Sequence, residues 1–374
     1  MRKITPGLIP GLGAPNRRQM MTRLGAMGLA PALAGLVSGR ALAADMTQDS
    51  VNAAVGPVNI LGSQPYETRE TWPSDLSVTW AYNSTNEEII TKTTQAGTFD
   101  AVIIYQGMID QLRKLGRIEP IDTSLLSNWE QVAPMFRDAD VIRRDGEVYA
   151  IPYHWGYGYL MYNADHAEAP KTYEDLLSPK LTRKIGMPDD PYAVITTFAI
   201  FSGAERPNNL TRQEFDDAIK LLKSFRPQVL TIHNYGDEIG LFARGDIWVG
   251  FPEYSNSLAK TREAGAKNVQ ITQLAAWSYI DCFMMLKDAV NKEAAYKFIN
   301  NALSVENQKL STAHSLAFPV NDGAISSVSP ELQYESAEQA LTLAPMMPGV
   351  TVETSGPDVP FQDWVQAWIE FKAA

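Results

Sequence analysis

From residue 57 to residue 122 the chain alternates short apolar runs with amphipathic stretches, and this alternation constrains the fold more than any other feature. PVNILG (57–62), SVTWAY (77–82) and FDAVIIYQG (99–107) read as buried strands. A helix between the first two is only weakly signalled. NSTNEEIITKTTQAG (83–97) begins at a cap-like Asn83 or Ser84 and stops at Gly97, so it reads as a helix. Met108, Ile109, Leu112 and Leu115 recur at helical spacing before Gly116, which suits the left-handed residue that closes a helix. Strands and helices alternating at these lengths predict α/β layers. Later segments keep the pattern. GEVYAIPYHWGYGYLMYN (146–163) predicts two strand segments bent at Pro152, and GDIWVGF (245–251) predicts another strand. Thr172 with Asp175, and Thr211 with Glu214, form capping boxes, and Phe215, Ile219 and Leu222 line one helix face. NKEAAYKFINNALS (291–304) is an amphipathic helix closed by Ser304, which then caps the next. SPELQ (329–333) opens a turn. The C-terminal helix turns Trp364, Trp368 and Phe371 to the core.

Residues 1–43 hold Arg2, Lys3, Arg17, Arg18, Arg23 and Arg40 and no acid. A mildly apolar run (24–37) and the small residues Ala41–Ala43 follow this basic start, the arrangement of an export signal, and the Arg17–Arg18 pair fits its twin-arginine form. No other segment is long and apolar enough to span a bilayer. The chain has 32 Lys and Arg against 43 Asp and Glu. Loss of the six N-terminal bases takes the formal net charge from −11 to −17. Such a product is a poor partner for nucleic acid or an anionic membrane. Cys282 is the single cysteine, so no internal disulfide forms and stability rests on core size. The mature length suits two domains.

The residue types of common enzyme sites are missing. His154, His166, His233 and His314 are dispersed and form no metal-binding pattern, and no nucleophile elbow or phosphate loop occurs. GYGY (156–159) has two glycines, but in the middle of a strand. Cys282 stands beside Asp281, which raises a thiol pKa rather than activating it. The chain reads as a non-enzyme without metal or cofactor. Aromatic residues stand close to acids instead: Tyr279 near Asp281, Phe251 and Tyr254 around Glu253, and Tyr192 after Asp189–Asp190. A ring face with a carboxylate is how proteins hold an organic ammonium. Asp281, alone in the apolar run of WSYIDCFMML (277–286), is expensive to bury unpaired. Either it closes a strand end through a local partner, or it awaits a cation.

Five segments in order carry a family resemblance: FDAVIIYQGMIDQLRKLGRIEPID, YAIPYHWGYGYLMYN, PDDPYAV, WSYIDCFMML and NKEAAYKFINNALSVEN. Behind an export signal, they resemble the periplasmic solute-binding proteins of ABC importers, and among them the spermidine/putrescine-binding family, over almost the whole mature chain. The resemblance implies an α/β, two-lobed type II fold joined by crossing strands near residues 153, 280 and 325. Residues 44–153 with 282–325 would form one lobe and 154–281 with 326–374 the other, after a signal peptide over 1–43. It places Asp281 on a ligand amine, Tyr279 and Phe251 as stacking aromatics, Asp190 as a second ligand acid, and Tyr105 and Gln106 as contacts from the first lobe. Tyr66 corresponds to an aromatic after the first strand. Three departures stand out: Ala193 replaces a family acid, with Glu253 a candidate substitute; the aromatic before the later Pro-x-Asn segment falls at Ala317 or Phe318; and no late glutamine matches near Met346.

The expectation is a monomeric periplasmic receptor that captures a small cationic amine and delivers it to an ABC permease in the inner membrane. Three alternatives remain: a zwitterion such as an opine or aminoalkyl acid, an anion or ferric ion in the same fold, and a ligand-sensing signalling receptor. The proposed cleft positions lack Arg, which favours a cation over an anion.

Overall fold

A computed structural model describes residues 46–63, 66–83, 86–328 and 359–374. The expected export segment, the SPELQ turn and Met346 lie outside them. The strands are β1 Gly56–Gly62, β2 Leu76–Tyr82, β3 Ala101–Tyr105, β4 Arg143–Arg144, β5 Glu147–Val148, β6 Ile151–Asn163, β7 Ile185–Pro188, β8 Val229–His233, β9 Val249–Tyr254, β10 Val269–Met285 and β11 Phe318–Pro319. Nine of them join one mixed sheet in the order β2-β1-β3-β10-β6-β9-β7-β8, with β11 beside β6. β4 and β5 form a separate hairpin.

The pairing senses divide the sheet. β2, β1 and β3 run parallel, as do β9, β7 and β8. Between these triplets β10 and β6 are antiparallel to each other and to their outer neighbours. These two long strands are thus shared by both halves. Their length comes from uninterrupted apolar and aromatic sequence: all of β6 except Tyr157 is buried. Pro152 does not bend the chain into two segments as its ring suggested. It falls beside a register shift, where Asp281 pairs with His154 but Cys282 with Pro152, leaving Tyr153 as the extra residue of a bulge.

Local chemistry sets the helix ends. After the helix Ile109–Lys114, Gly116 takes φ +64° and its N–H bonds Arg113 O while Arg117 N bonds Leu112 O, the paired closure that only a left-handed residue allows cheaply. Both expected capping boxes form, at Tyr173–Leu176 and Arg212–Ser224, and Ser304 Oγ accepts from Asn307 N to start Val305–Ser315. Where a helix between β1 and β2 is weakly signalled, the described residues include the 3-10 turn Arg69–Thr71.

On the β7–β9 side the core is a set of phenyl rings. Phe198, Phe201, Phe225 and Phe251 contact one another at centroid distances of 4.9–6.5 Å. The C-terminal helix Phe361–Ala373 closes this side: Trp364 stacks on Tyr192 at 6.2 Å and meets Phe215 at 6.1 Å. Asp100, just before β3, is buried but structural, accepting from Asn59 N at 2.8 Å, Val290 N at 3.0 Å and Asn291 N at 2.8 Å.

Candidate functional site

Where the two parallel triplets meet the central strands, a cavity of about 600 Å³ opens. β3 contributes Ile103, Ile104 and Tyr105, and the segment after β1 contributes Ser63 and Tyr66. β10 contributes Trp277, Tyr279 and Asp281. The other half contributes Asp190, Tyr192, Asn234, Tyr235, Tyr254 and the helix residues Ser257 and Lys260. Strand alternation explains the β10 set: 277, 279 and 281 share one face. The rings form a near-continuous wall. Tyr254 meets Tyr279 edge-on at 5.4 Å and Tyr235 at 5.3 Å, while Tyr105 reaches Tyr192 at 5.0 Å.

The glycines of GYGY make room for this wall. Gly156 pairs with Tyr279 and Gly158 with Trp277. A Cβ at Gly156 would lie 2.7 Å from Tyr279 Oη, and one at Gly158 would lie 2.6 Å from Trp277 Cε2. Both rings therefore lie down across β6 instead of standing off it.

Asp281 is half-buried at the floor, opposite Tyr105 on one side and His154 on the other. Tyr66 Oη donates to its Oδ2, and Oδ1 has no partner among the described residues. Burial pushes the carboxyl from 3.8 up to about 6, against the lowering effect of the Tyr66 hydrogen bond. Burial and the nearby Asp281 push the Tyr66 phenol well above its ordinary value, so it stays a donor. The Tyr66 ring stacks on His154 at 5.0 Å. Burial drives His154 down to about 3, so this imidazole is neutral and offers no charge to Asp281.

Asp190 differs. It caps the helix Pro191–Phe201, accepting from Ala193 N at 3.0 Å, and Tyr235 Oη donates to its other oxygen at 2.5 Å. Glu238 is committed as well, to Gly236 N at 2.7 Å and Ser257 Oγ at 2.5 Å.

Of the eight sequence candidates, Tyr66, Tyr105, Asp190, Tyr279 and Asp281 line the cavity. Three do not. Phe251 is fully buried in the phenyl cluster, because its position on β9 turns it away from the face that Tyr254 presents. Glu253 lies behind the wall, buried and 3.4 Å from His233 Nε2. Burial alone would lower His233, but Glu253, with Glu238 beyond, raises it from 6.5 to about 9. Glu253 is therefore one arm of a buried charge cluster and not a replacement for the acid missing at Ala193. Gln106 is buried, and its Oε1 accepts from Ile280 N at 2.7 Å, tying β10 to the turn after β3. Trp277, Tyr254, Tyr235, Tyr192 and Lys260 were missed as lining residues. The signal for three of them was present: Trp277 shares Tyr279's strand parity, Tyr254 follows Glu253, and Tyr192 stands just after Asp189–Asp190. Among the described residues no group of three or more His, Cys, Asp or Glu stands close enough to hold a metal ion.

A profile of the family described as bacterial extracellular solute-binding protein matches residues 75–341. The chain belongs to this family. As a member it is similar to the putrescine-binding periplasmic protein SpuD of Pseudomonas aeruginosa, 26% identical over 309 residues covering 77% of this chain and 82% of that one. It is also similar to the spermidine/putrescine-binding periplasmic protein of Salmonella typhimurium, 27% identical over 270 residues covering 71% and 75%. A solved structure of a putative spermidine/putrescine ABC transporter from Listeria monocytogenes superposes with a TM-score of 0.72 at 21% identity, covering 84% of this chain and 98% of that one. The solute-binding fold is thus the type II arrangement that the resemblance implied. Among the described residues no helix is long and apolar enough to cross a membrane.

Proposed function

We propose that this solute-binding protein captures a small organic amine, seating one ammonium group on Asp281. The observation that carries the reading is a half-buried carboxylate with one phenol partner, set in a wall of aromatic rings. An ammonium there gains a charge-assisted hydrogen bond and ring faces worth about 0.5–2 kcal/mol each when desolvated. The names of the relatives, putrescine- and spermidine-binding, support an amine. The receptor acts in the periplasm after removal of residues 1–43 and passes its solute to an ABC permease, as a monomer and without catalysis. Residues 44–153 with 282–325, and 154–281 with 326–374, act as lobes that close on the solute about β6 and β10.

The test is calorimetry of residues 44–374 with putrescine, cadaverine, spermidine and linear amino acids. Micromolar or tighter binding of an amine, lost in Asp281→Asn, is the expected result. Binding confined to ligands without an amine would overturn the reading. A second reading, a solute with both an ammonium and a carboxylate, is favoured by Lys260.

A further inference from the structure

We infer that Lys260 receives an anionic group of the solute, so that the preferred ligand is an amino carboxylate and not a diamine. The inference rests on the proposed seat of the ammonium at Asp281 and concerns the other end of the same cavity.

Lys260 is the one cation among the described residues lining the cavity. It sits on the helix Ser255–Glu263, three residues after Ser257, so both project from one face, and both border the cavity. It is half-buried and forms no ion pair with any described residue. A lysine in the last turn of a helix can simply complement the helix dipole. The same last turn also carries Arg262, whose Nε donates to Val269 O of β10 at 2.8 Å, so the helix end has a second base that does not border the cavity.

The carboxylates fit the same division. A diamine is held best where two acids are free to face its two ammonium groups. Asp281 offers an oxygen without a described partner, whereas both oxygens of Asp190 and both of Glu238 already accept from protein donors. Position 193 holds a fully buried alanine. Seating a second ammonium would bring it into a cavity that already contains the Lys260 charge, and like charges at close range in a partly dry cavity are disfavoured. A carboxylate meets the opposite condition.

The test is a matched calorimetric series of α,ω-diamines and ω-amino acids of three to six carbons, putrescine against 4-aminobutanoate and cadaverine against 5-aminopentanoate among them. Wild type, Lys260→Met, Lys260→Glu and Lys267→Met are compared; Lys267 is exposed and does not line the cavity. The best amino acid is expected to bind wild type at least tenfold more tightly than the matching diamine. Lys260→Met should weaken that amino acid at least tenfold while leaving the diamine unchanged or tighter. Lys260→Glu should reverse the preference, and Lys267→Met should do neither. Tighter diamine binding by wild type, or equal effects of Lys260→Met and Lys267→Met, would overturn the inference while leaving the amine reading intact. Binding of neither series would overturn both.

Discussion

Asp281 is costly to ionise where it stands, and the cost has a definite sign. Its carboxyl is raised from 3.8 to about 6, so the folded chain holds this proton more tightly than the unfolded chain. The stability contributed by the neutral acid is fully present below about pH 4 and is lost as pH rises through about 6. An ammonium binds the ionised form, so affinity should rise over the interval in which ligand-free stability falls. Asp281→Asn should raise the ligand-free melting temperature at pH 7.5, weaken amine binding by about 2–5 kcal/mol and abolish the pH dependence near 6. Calorimetry and thermal melts at pH 5 and 7.5 read all three, and an unchanged affinity would remove Asp281 from the site. Glu253 should behave in the opposite way. Glu253→Gln leaves His233 free to shed its proton, so the loss is that of a close buried charge contact whose partner can neutralise, about 1–3 kcal/mol of stability. Ligand affinity should stay within twofold. A large affinity loss in the folded variant would return Glu253 to the cavity.

At the scale of elements, β6 and β10 determine which side chains meet. Gly156→Ala places a methyl 2.7 Å from Tyr279 Oη, and the ring, being the end of a side chain, must swing away. The variant should fold and lose about tenfold in affinity, whereas a Gly203→Ala control, with φ +81° but nothing within 4 Å of its new methyl, should cost stability and no affinity. Calorimetry beside a melt separates the two outcomes. The same strands show what the sequence could convey. Period-two spacing in WSYIDCFMML was enough to put Tyr279 and Asp281 on one face, and capping residues were enough to place helix starts at Thr211 and Ser304. Phe251 was misplaced because a strand buried on both faces gives no alternation from which to choose the cavity side. The fit of Trp277 over Gly158 went unread because that relation exists only once β10 pairs with β6. Glu253 and His233 stand twenty residues apart, and the charge cluster they form arises because β9, which carries Glu253, and β8, which ends at His233, flank β7 in the sheet, which no local pattern announces.

At the scale of the molecule, a sheet whose two parallel triplets share only β6 and β10 allows the halves to move as bodies while those strands flex. A ligand that binds only the folded form at 100 times its dissociation constant adds about 2.7 kcal/mol. At the usual unfolding entropy per residue, a chain of this length should melt about 4 °C higher. That shift reports binding but not closure. Closure can be read separately because the only native thiol, Cys282, is buried and will not compete for label. Glu130→Cys and Asp216→Cys put labels on exposed positions, one after β3 in sequence and one on the helix Arg212–Ser224 of the other half. If the halves move as the proposed lobes, they sample several separations without ligand, and the label distance should be broadly distributed. Solute that contacts Tyr66 and Tyr105 on one side, Tyr235, Tyr254 and Lys260 on the other, and Asp281 on the strand between them favours the separation at which all can touch it, so the distribution should narrow. The same narrow distribution with and without saturating ligand would mean that the halves form one rigid body, and the cavity would then have to load its solute through side-chain motion alone.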